Sequence, residues 1–252
     1  YIKIDITNRG DKTAAITLLP TLWFYNRWGD TPEETKPSIT FLSKTSVKAT
    51  HKRLGNYYFY FQQPDDCLFT DNETNMHRAT GATNESIFVK DAFHDAIIDG
   101  TNRKKLRARK EGTKFSAVYE MKIKKGETKT IYCRLTERAD DRPFTRGFEK
   151  IFEVRKQEAD DFYRTILPAH MSDDLKNIQR KALAGMLWSK QYYHYDVERW
   201  LTSSDGITPV NDGKTKGRNS DWTHLKNQDI IAMPDKWEYP WYAAWDLAFH
   251  CI

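Results

Sequence analysis

The chain has 252 residues, of which 39% are hydrophobic and 30% are charged. This length allows one large domain or two modest ones, and the composition is that of a globular protein with a sizeable core. The net charge is only +5 and no uninterrupted run of about 18 apolar residues occurs, so neither a membrane-spanning nor a strongly basic nucleic-acid-binding protein is indicated.

The first half of the chain is predicted to form strands. Residues 1–7 alternate apolar and polar side chains, which is typical of a half-buried strand, and residues 8–11 supply a turn. Residues 124–127 are predicted to form a hairpin turn. The predicted strands are 1–7, 14–19, 56–62, 86–89, 116–123 and 128–135. Short strands separated by turns favour an antiparallel β-sandwich over residues 1–138.

A basic run of six Lys and Arg residues occupies positions 103–110. Such a run could bind phosphate or nucleic acid. The other basic residues are mixed with acidic ones and form no continuous basic face. A solvated hairpin or loop between strands is therefore the favoured interpretation.

The pattern becomes helical after residue 138. Apolar residues recur at helical spacing over 146–166, and Pro168 marks the end of that helix. This segment predicts a linker helix within 139–170, which connects the sandwich to the part of the chain from residue 171 onwards.

A second helix is predicted to begin at Ser172, an N-cap residue followed by two aspartates, and to run towards Tyr193. A polar, glycine-containing stretch, 203–220, is predicted to be a loop. A last helix is predicted from about residue 239 or 240. That helix has no stop signal before residue 252, so we expect the chain to be a fragment.

The three cysteines, Cys67, Cys133 and Cys251, are far apart in the sequence. They form no CxxC pair and have no metal-ligand spacing with histidines, so no disulfide framework or metal site is indicated. No cofactor is expected. A reduced, cytoplasmic location is the expectation that fits this cysteine usage.

Residues 233–250, here called the motif segment, contain three Trp, two Tyr and three carboxylates. Aromatic rings suit the apolar faces of sugars, and carboxylates perform the acid–base chemistry of glycoside cleavage. The Trp residues are spaced four apart, so one helical core stripe is an alternative. Asp246 follows Trp245 where the sequence turns apolar, and burial there would favour the protonated state that a general acid needs. An exposed helical Asp is the alternative from composition alone.

The motif segment, MPDKWEYPWYAAWDLAFH, resembles the active-site segment of glycoside hydrolase family 63, in particular its bacterial mannosylglycerate-hydrolase-like and α-glucosidase-like members. Tyr242 stands where that family usually has Phe. Other stretches resemble the sandwich and first barrel helix of the family: 19–24, 90–94, 112–114 and 184–193. The resemblance covers essentially the whole chain. It implies a β-sandwich followed by the first helices of a truncated (α/α)6 barrel over 171–252.

The resemblance implies an inverting glycosidase in which Asp246 is the general acid and Trp241 stacks against the sugar. Lys236, Glu238 and Tyr239 would bind substrate or orient the acid. Two further residues could wall the pocket: Tyr192 and Tyr193. Arg218 and Asn219 would lie in a loop at the barrel mouth and bind substrate, and ordinary loop polarity is an equal alternative for these two.

Inverting glycosidases need a second carboxylate about 6.5–9.5 Å from the first, with room for a water molecule. The resemblance implies that this base is a Glu on a late barrel helix, beyond residue 252. We therefore expect this chain alone to be inactive. The family pattern would also have Arg-Asn directly after Trp23-Phe24, where this chain has Tyr25, and this departure could alter a contact between the sandwich and the barrel.

The expected substrates are α-glucosides, α-mannosides or glycosylglycerate-like compounds, so the expected partner is an oligosaccharide or small glycoside. No nucleic-acid or membrane partner is expected, and the oligomeric state is open. The alternative hypothesis is a non-catalytic carbohydrate-binding β-sandwich module with a helical appendage. It would explain the aromatic residues but not the context of Asp246.

Overall fold

The structure of the chain is a computed structural model, and it describes residues 1–26, 28, 35–145, 147–202, 217, 220–233, 238 and 241–250. The chain combines antiparallel sheets with helices and divides into two compact units, Tyr1–Phe148 and Glu149–Ile252. In the described ranges, no helix is both long and apolar enough to cross a membrane.

The first unit contains two antiparallel sheets. Its strands are β1 (Ile2–Thr7), β2 (Ala14–Leu18), β3 (Thr21–Trp23), β4 (Ser38–Ser43), β5 (Ser46–His51), β6 (Gly55–Phe61), β7 (Asp66–Thr70), β8 (Glu111–Gly112), β9 (Lys114–Ile123) and β10 (Thr128–Thr136). One sheet has the order β1-β10-β6-β5-β4-β8. In the other, β9 pairs with β2 and β3, and also with β7.

The core of the first unit lies between the two sheets and is formed by side chains from both. Phe59 and Phe61 of the first sheet share one cluster with Phe69, Phe115 and Tyr119 of the second. The rings of Phe61 and Phe115 lie 5.2 Å apart. Side chains alternate between the two faces of a strand, so the intervening residues of the second sheet point away from this cluster.

Those intervening residues pack against short helices. The helices are α1 (Met76–Thr80), α2 (Ala92–Ile97) and α3 (Arg103–Ala108). Leu68 and Val118 of the second sheet form a buried cluster with Phe93 of α2 and Leu106 of α3. Strand β7 and the first half of β9 are thus buried on both faces.

The β-rich character predicted for this part of the chain is confirmed, but individual elements differ. Residues 86–88 form bends and Val89 has no regular structure, in place of the predicted strand. There the Ser86 hydroxyl donates to Asp71, and the Asp71 amide donates to the Phe88 carbonyl without forming a strand ladder. The basic run is also not a hairpin or loop between strands, because its first six residues form α3.

The second unit contains longer helices and one small sheet. Its elements are α4 (Gly147–Ile166), α5 (Asp173–Trp188), β11 (Lys190–Asp196), α6 (Val197–Thr202), β12 (Lys226–Ala232), a 3-10 turn (Ala244–Asp246) and α7 (Leu247–His250). The first two residues of α4 belong to the first unit. Ser172 caps α5 as predicted, since its hydroxyl accepts from the amide of Leu175. The Arg180 guanidinium of α5 donates to Asp160 of α4, and the two helices are joined by this ion pair.

Two predicted helix limits are wrong. The second helix ends at Trp188, and the residues up to Asp196 form β11, paired over its whole length with β12. Tyrosines favour a pleated strand with a partner over a helix, and the paired residues of the partner strand lie 30 to 42 residues away in the sequence. The last helical segment begins at Ala244, later than predicted.

Candidate functional site

The motif segment packs on one face of the β11–β12 sheet. Ile231 of β12 is buried with Met233 and Ala243, and Tyr242 and Leu247 pack against this cluster. The Met233 amide donates to the Ser189 carbonyl, which ties the start of the segment to the residue before β11. The small sheet is therefore the support that positions the segment.

Asp246 lies between two residues that anchor the segment. Ala243 is completely buried, and Leu247 packs on the same cluster. The Asp246 amide donates to the Ala243 carbonyl over 3.2 Å, which closes the 3-10 turn. The Asp246 side chain is partly buried. Its backbone is thus fixed on both sides, while the residue as a whole is only partly buried.

Tyr242 makes a side-chain hydrogen bond between the motif segment and the sheet. Its hydroxyl donates to Asp229 Oδ2 over 3.1 Å, and its ring centroid lies 5.1 Å from that of Tyr193. This bond to the carboxylate raises the pKa of the Tyr242 hydroxyl, because losing the proton would place two negative charges side by side. Asp229 was not singled out from the sequence. Only the strand register, Tyr193 opposite Asp229, brings it to this face.

The two tyrosines predicted to wall a pocket lie on opposite faces of β11. Tyr193 contacts the motif segment, whereas Tyr192 is exposed and its ring lies 6.1 Å from that of His194, on the other face. A strand turns successive side chains to opposite faces. The structure therefore brings Tyr193, but not Tyr192, to the side that carries Tyr242.

The two described Trp residues of the segment, Trp241 and Trp245, do not belong to a buried helical stripe. Trp241 precedes the helical turn and is 49% exposed, and Trp245 is 69% exposed. Glu238 is also exposed. Exposed indole rings next to a partly buried carboxyl group are an arrangement that can bind a sugar. The remaining predicted residues lie outside the described residues: Lys236, Tyr239, Arg218 and Asn219.

The basic run makes ion pairs within the first unit. Arg103 Nη2 and Arg107 Nε lie 2.9 and 2.7 Å from the buried carboxylate of Asp66. Arg109 lies 3.2 Å from the buried Asp71. These arginines compensate buried acids, which reduces the charge that the run could offer to a polyanion.

The described thiols are poorly suited to chemistry. Cys67 and Cys133 are free, and burial raises the pKa of each to about 11, so both stay protonated near neutral pH. Cys251 lies outside the described residues. Within those residues, no group of three or more His, Cys, Asp or Glu side chains could hold a metal ion.

No protein-family model matches the chain. The chain is 33% identical to the uncharacterized protein YMR196W of Saccharomyces cerevisiae in an alignment of 288 residues. This similarity covers 99% of the chain and 26% of the yeast protein, so the chain spans about a quarter of the length of that relative.

Proposed function

We propose that this chain belongs to an inverting glycoside hydrolase related to family 63, acting on α-glucosides, α-mannosides or glycosylglycerate-like substrates. The observation that carries the proposal is the setting of Asp246 within the motif segment. Its carboxyl group is held on a short turn between Ala243 and Leu247. The exposed rings of Trp241 and Trp245 lie two positions before and two positions after the buried Ala243. The architecture we propose is a β-sandwich followed by the first helices of an (α/α)6 barrel.

In the proposed reaction, the Asp246 carboxyl group donates its proton to the glycosidic oxygen as the bond to the anomeric carbon breaks. Trp241 provides an apolar face for the sugar. A second carboxylate must activate the attacking water on the opposite face, and no residue of this chain is assigned that role. We further propose a cytoplasmic location, which is compatible with free thiols at Cys67 and Cys133.

The test uses the full-length protein and the variant Asp246→Asn. With an unactivated α-glycoside we expect kcat to fall by about 10²–10⁴-fold, because the leaving group must be protonated. With an activated aryl α-glycoside, such as a 4-nitrophenyl glucoside or mannoside, the loss should be much smaller. Asp174→Asn, which removes an exposed carboxylate from the first turn of α5, is the matched control and should retain wild-type rates.

Equal losses on both kinds of substrate would remove Asp246 from the role of acid. The anomer formed first, followed by NMR, tests the stereochemistry: retention of configuration would contradict an inverting mechanism. If the wild-type full-length protein binds glycosides but hydrolyses none, the proposal fails in favour of a non-catalytic carbohydrate-binding module.

A further inference from the structure

The hydroxyl group of Tyr242 has a defined acceptor in the sheet below the motif segment. A Phe at this position would keep the ring contact with Tyr193, at 5.1 Å between centroids, but would lose the bond to Asp229 Oδ2. Tyr193 and Asp229 are direct partners in the ladder, so their side chains point to the same face. Ring and hydroxyl are thus held by two neighbouring residues on two strands.

We propose that the Tyr242–Asp229 hydrogen bond is a positioning contact that sets the location of the Asp246 carboxyl group. This inference rests on the proposed function for the role of Asp246, but the contact itself does not. Tyr242 is followed by the buried Ala243, whose carbonyl accepts from the Asp246 amide over 3.2 Å. A displacement of Tyr242 on the sheet is therefore passed directly to the turn that holds Asp246.

The contact should affect geometry more than stability. The bond lies at an exposed position, and an exposed hydrogen bond adds little to folding because water can replace either partner. Proton transfer, in contrast, depends steeply on the distance and angle between donor and leaving group. A positioning contact therefore predicts a loss in kcat with KM and the melting temperature nearly unchanged, whereas a substrate ligand predicts a rise in KM.

The experiment compares variants of the full-length protein. Tyr242→Phe removes the donor, Asp229→Ala removes the acceptor, and Asp229→Asn keeps an acceptor oxygen without the charge. We expect the first two to lower kcat by about tenfold with KM within about twofold. Asp229→Asn should recover most of the activity, and the double variant Tyr242→Phe/Asp229→Ala should be no worse than either single one. Tyr195→Phe removes a hydroxyl group from β11, the strand of Tyr193. It is the matched control and should behave as wild type.

Amide hydrogen exchange at Ala243–Leu247 provides a readout that needs no hydrolysis. Faster exchange in Tyr242→Phe and Asp229→Ala, but not in Tyr195→Phe, supports the contact even if the wild-type protein cleaves no glycoside and the proposed function fails. Unchanged exchange and unchanged kcat in Tyr242→Phe would overturn the inference. It would equally be overturned if either variant raised KM and left kcat intact.

Discussion

Gly112 and Thr70 bring two backbones into direct contact in the first unit. A methyl group on the α-carbon of Gly112 would lie 3.0 Å from the Thr70 carbonyl carbon and closer still to its oxygen. Gly112 is paired with Ile39 of β4, and Thr70 is paired with Lys114 of β9. Neither backbone can move away without breaking a ladder, so only glycine fits at this crossing.

Gly112→Ala should therefore destabilise the chain. The added methyl group has to push apart β8 and β7, which are held by their separate partners β4 and β9. Overpacking of this kind costs about 1–3 kcal/mol. Urea denaturation followed by tryptophan fluorescence measures the change in the free energy of unfolding. Gly185→Ala is the control: no atom lies within 4 Å of its added methyl group, and alanine in a helix interior is favoured over glycine by about 1 kcal/mol. A Gly112→Ala variant as stable as wild type would contradict the close approach.

The second prediction concerns the basic run. Arg103 binds both the buried Asp66 and Glu120, the latter over 2.6 Å. Arg103→Ala should lower the free energy of unfolding by about 1–3 kcal/mol, because the buried carboxylate loses one of its two guanidinium partners. Lys104→Ala removes the same charge from an exposed neighbour and should change stability by less than about 0.5 kcal/mol.

The same pair of variants addresses the polyanion alternative. If the run bound nucleic acid through its free charges, Lys104→Ala would weaken binding of a short duplex in a salt-dependent manner. We expect no measurable binding by wild type at physiological salt, because the arginines are already paired with Asp66 and Asp71. A fluorescence anisotropy titration is sufficient to decide this.

The third prediction is an acid-dependent loss of stability that originates at Asp71. Desolvation by burial acts to raise the pKa of this carboxyl group, but the Ser86 hydroxyl and the cations of Lys36 and Arg109 outweigh it and hold the pKa below its ordinary value. A carboxyl group with a lower pKa in the folded state contributes stability that is fully present above its unfolded pKa, about 3.9. That contribution is lost as pH falls through the folded pKa.

Asp71→Asn tests this contribution because it removes the titration and keeps the shape. We expect the variant to be less stable than wild type at pH 7, and the gap between the two proteins to close as pH falls below about 4. Urea unfolding at a series of pH values from 7 to 2.5 gives the comparison. Asp11→Asn, in an exposed turn, should follow the wild-type curve throughout. A gap between Asp71→Asn and wild type that stayed constant with pH would exclude the ion pairs as its source.

Local patterns predicted some elements of this fold and missed others. The helices at 147–166 and 173–188 follow from their spacing and from the Ser172 cap, which are local signals. The strand that contains Tyr192 and Tyr193 was missed, because its partner is 30 or more residues away and the preceding helix pattern runs into it. The strands at 38–51 were missed as well, since they are stabilised by a core whose other half comes from distant strands.

The candidate site also contains residues that were predicted from the sequence and one that was missed. Asp246 and Trp241 were predicted from the aromatic and acidic content of the motif segment together with its resemblance to a known family, and composition alone left Asp246 an exposed helical residue. Asp229 was not predicted, because only the pairing of β11 with β12 brings it beside Tyr242. Residues that a site acquires through strand register have no sequence signal of their own in a single chain.

The last prediction uses the opposite orientations of two adjacent tyrosines. Tyr193→Ala removes the ring that Tyr242 packs against and should lower the free energy of unfolding of the second unit by about 1–2 kcal/mol. Tyr192→Ala deletes an equally large but exposed ring and should cost less than about 0.5 kcal/mol. Hydrogen exchange at the β11–β12 ladder measures both effects locally. If Tyr192 instead bound substrate, its variant would retain stability but show a higher KM, so activity and exchange together distinguish a structural from a binding role for each side chain.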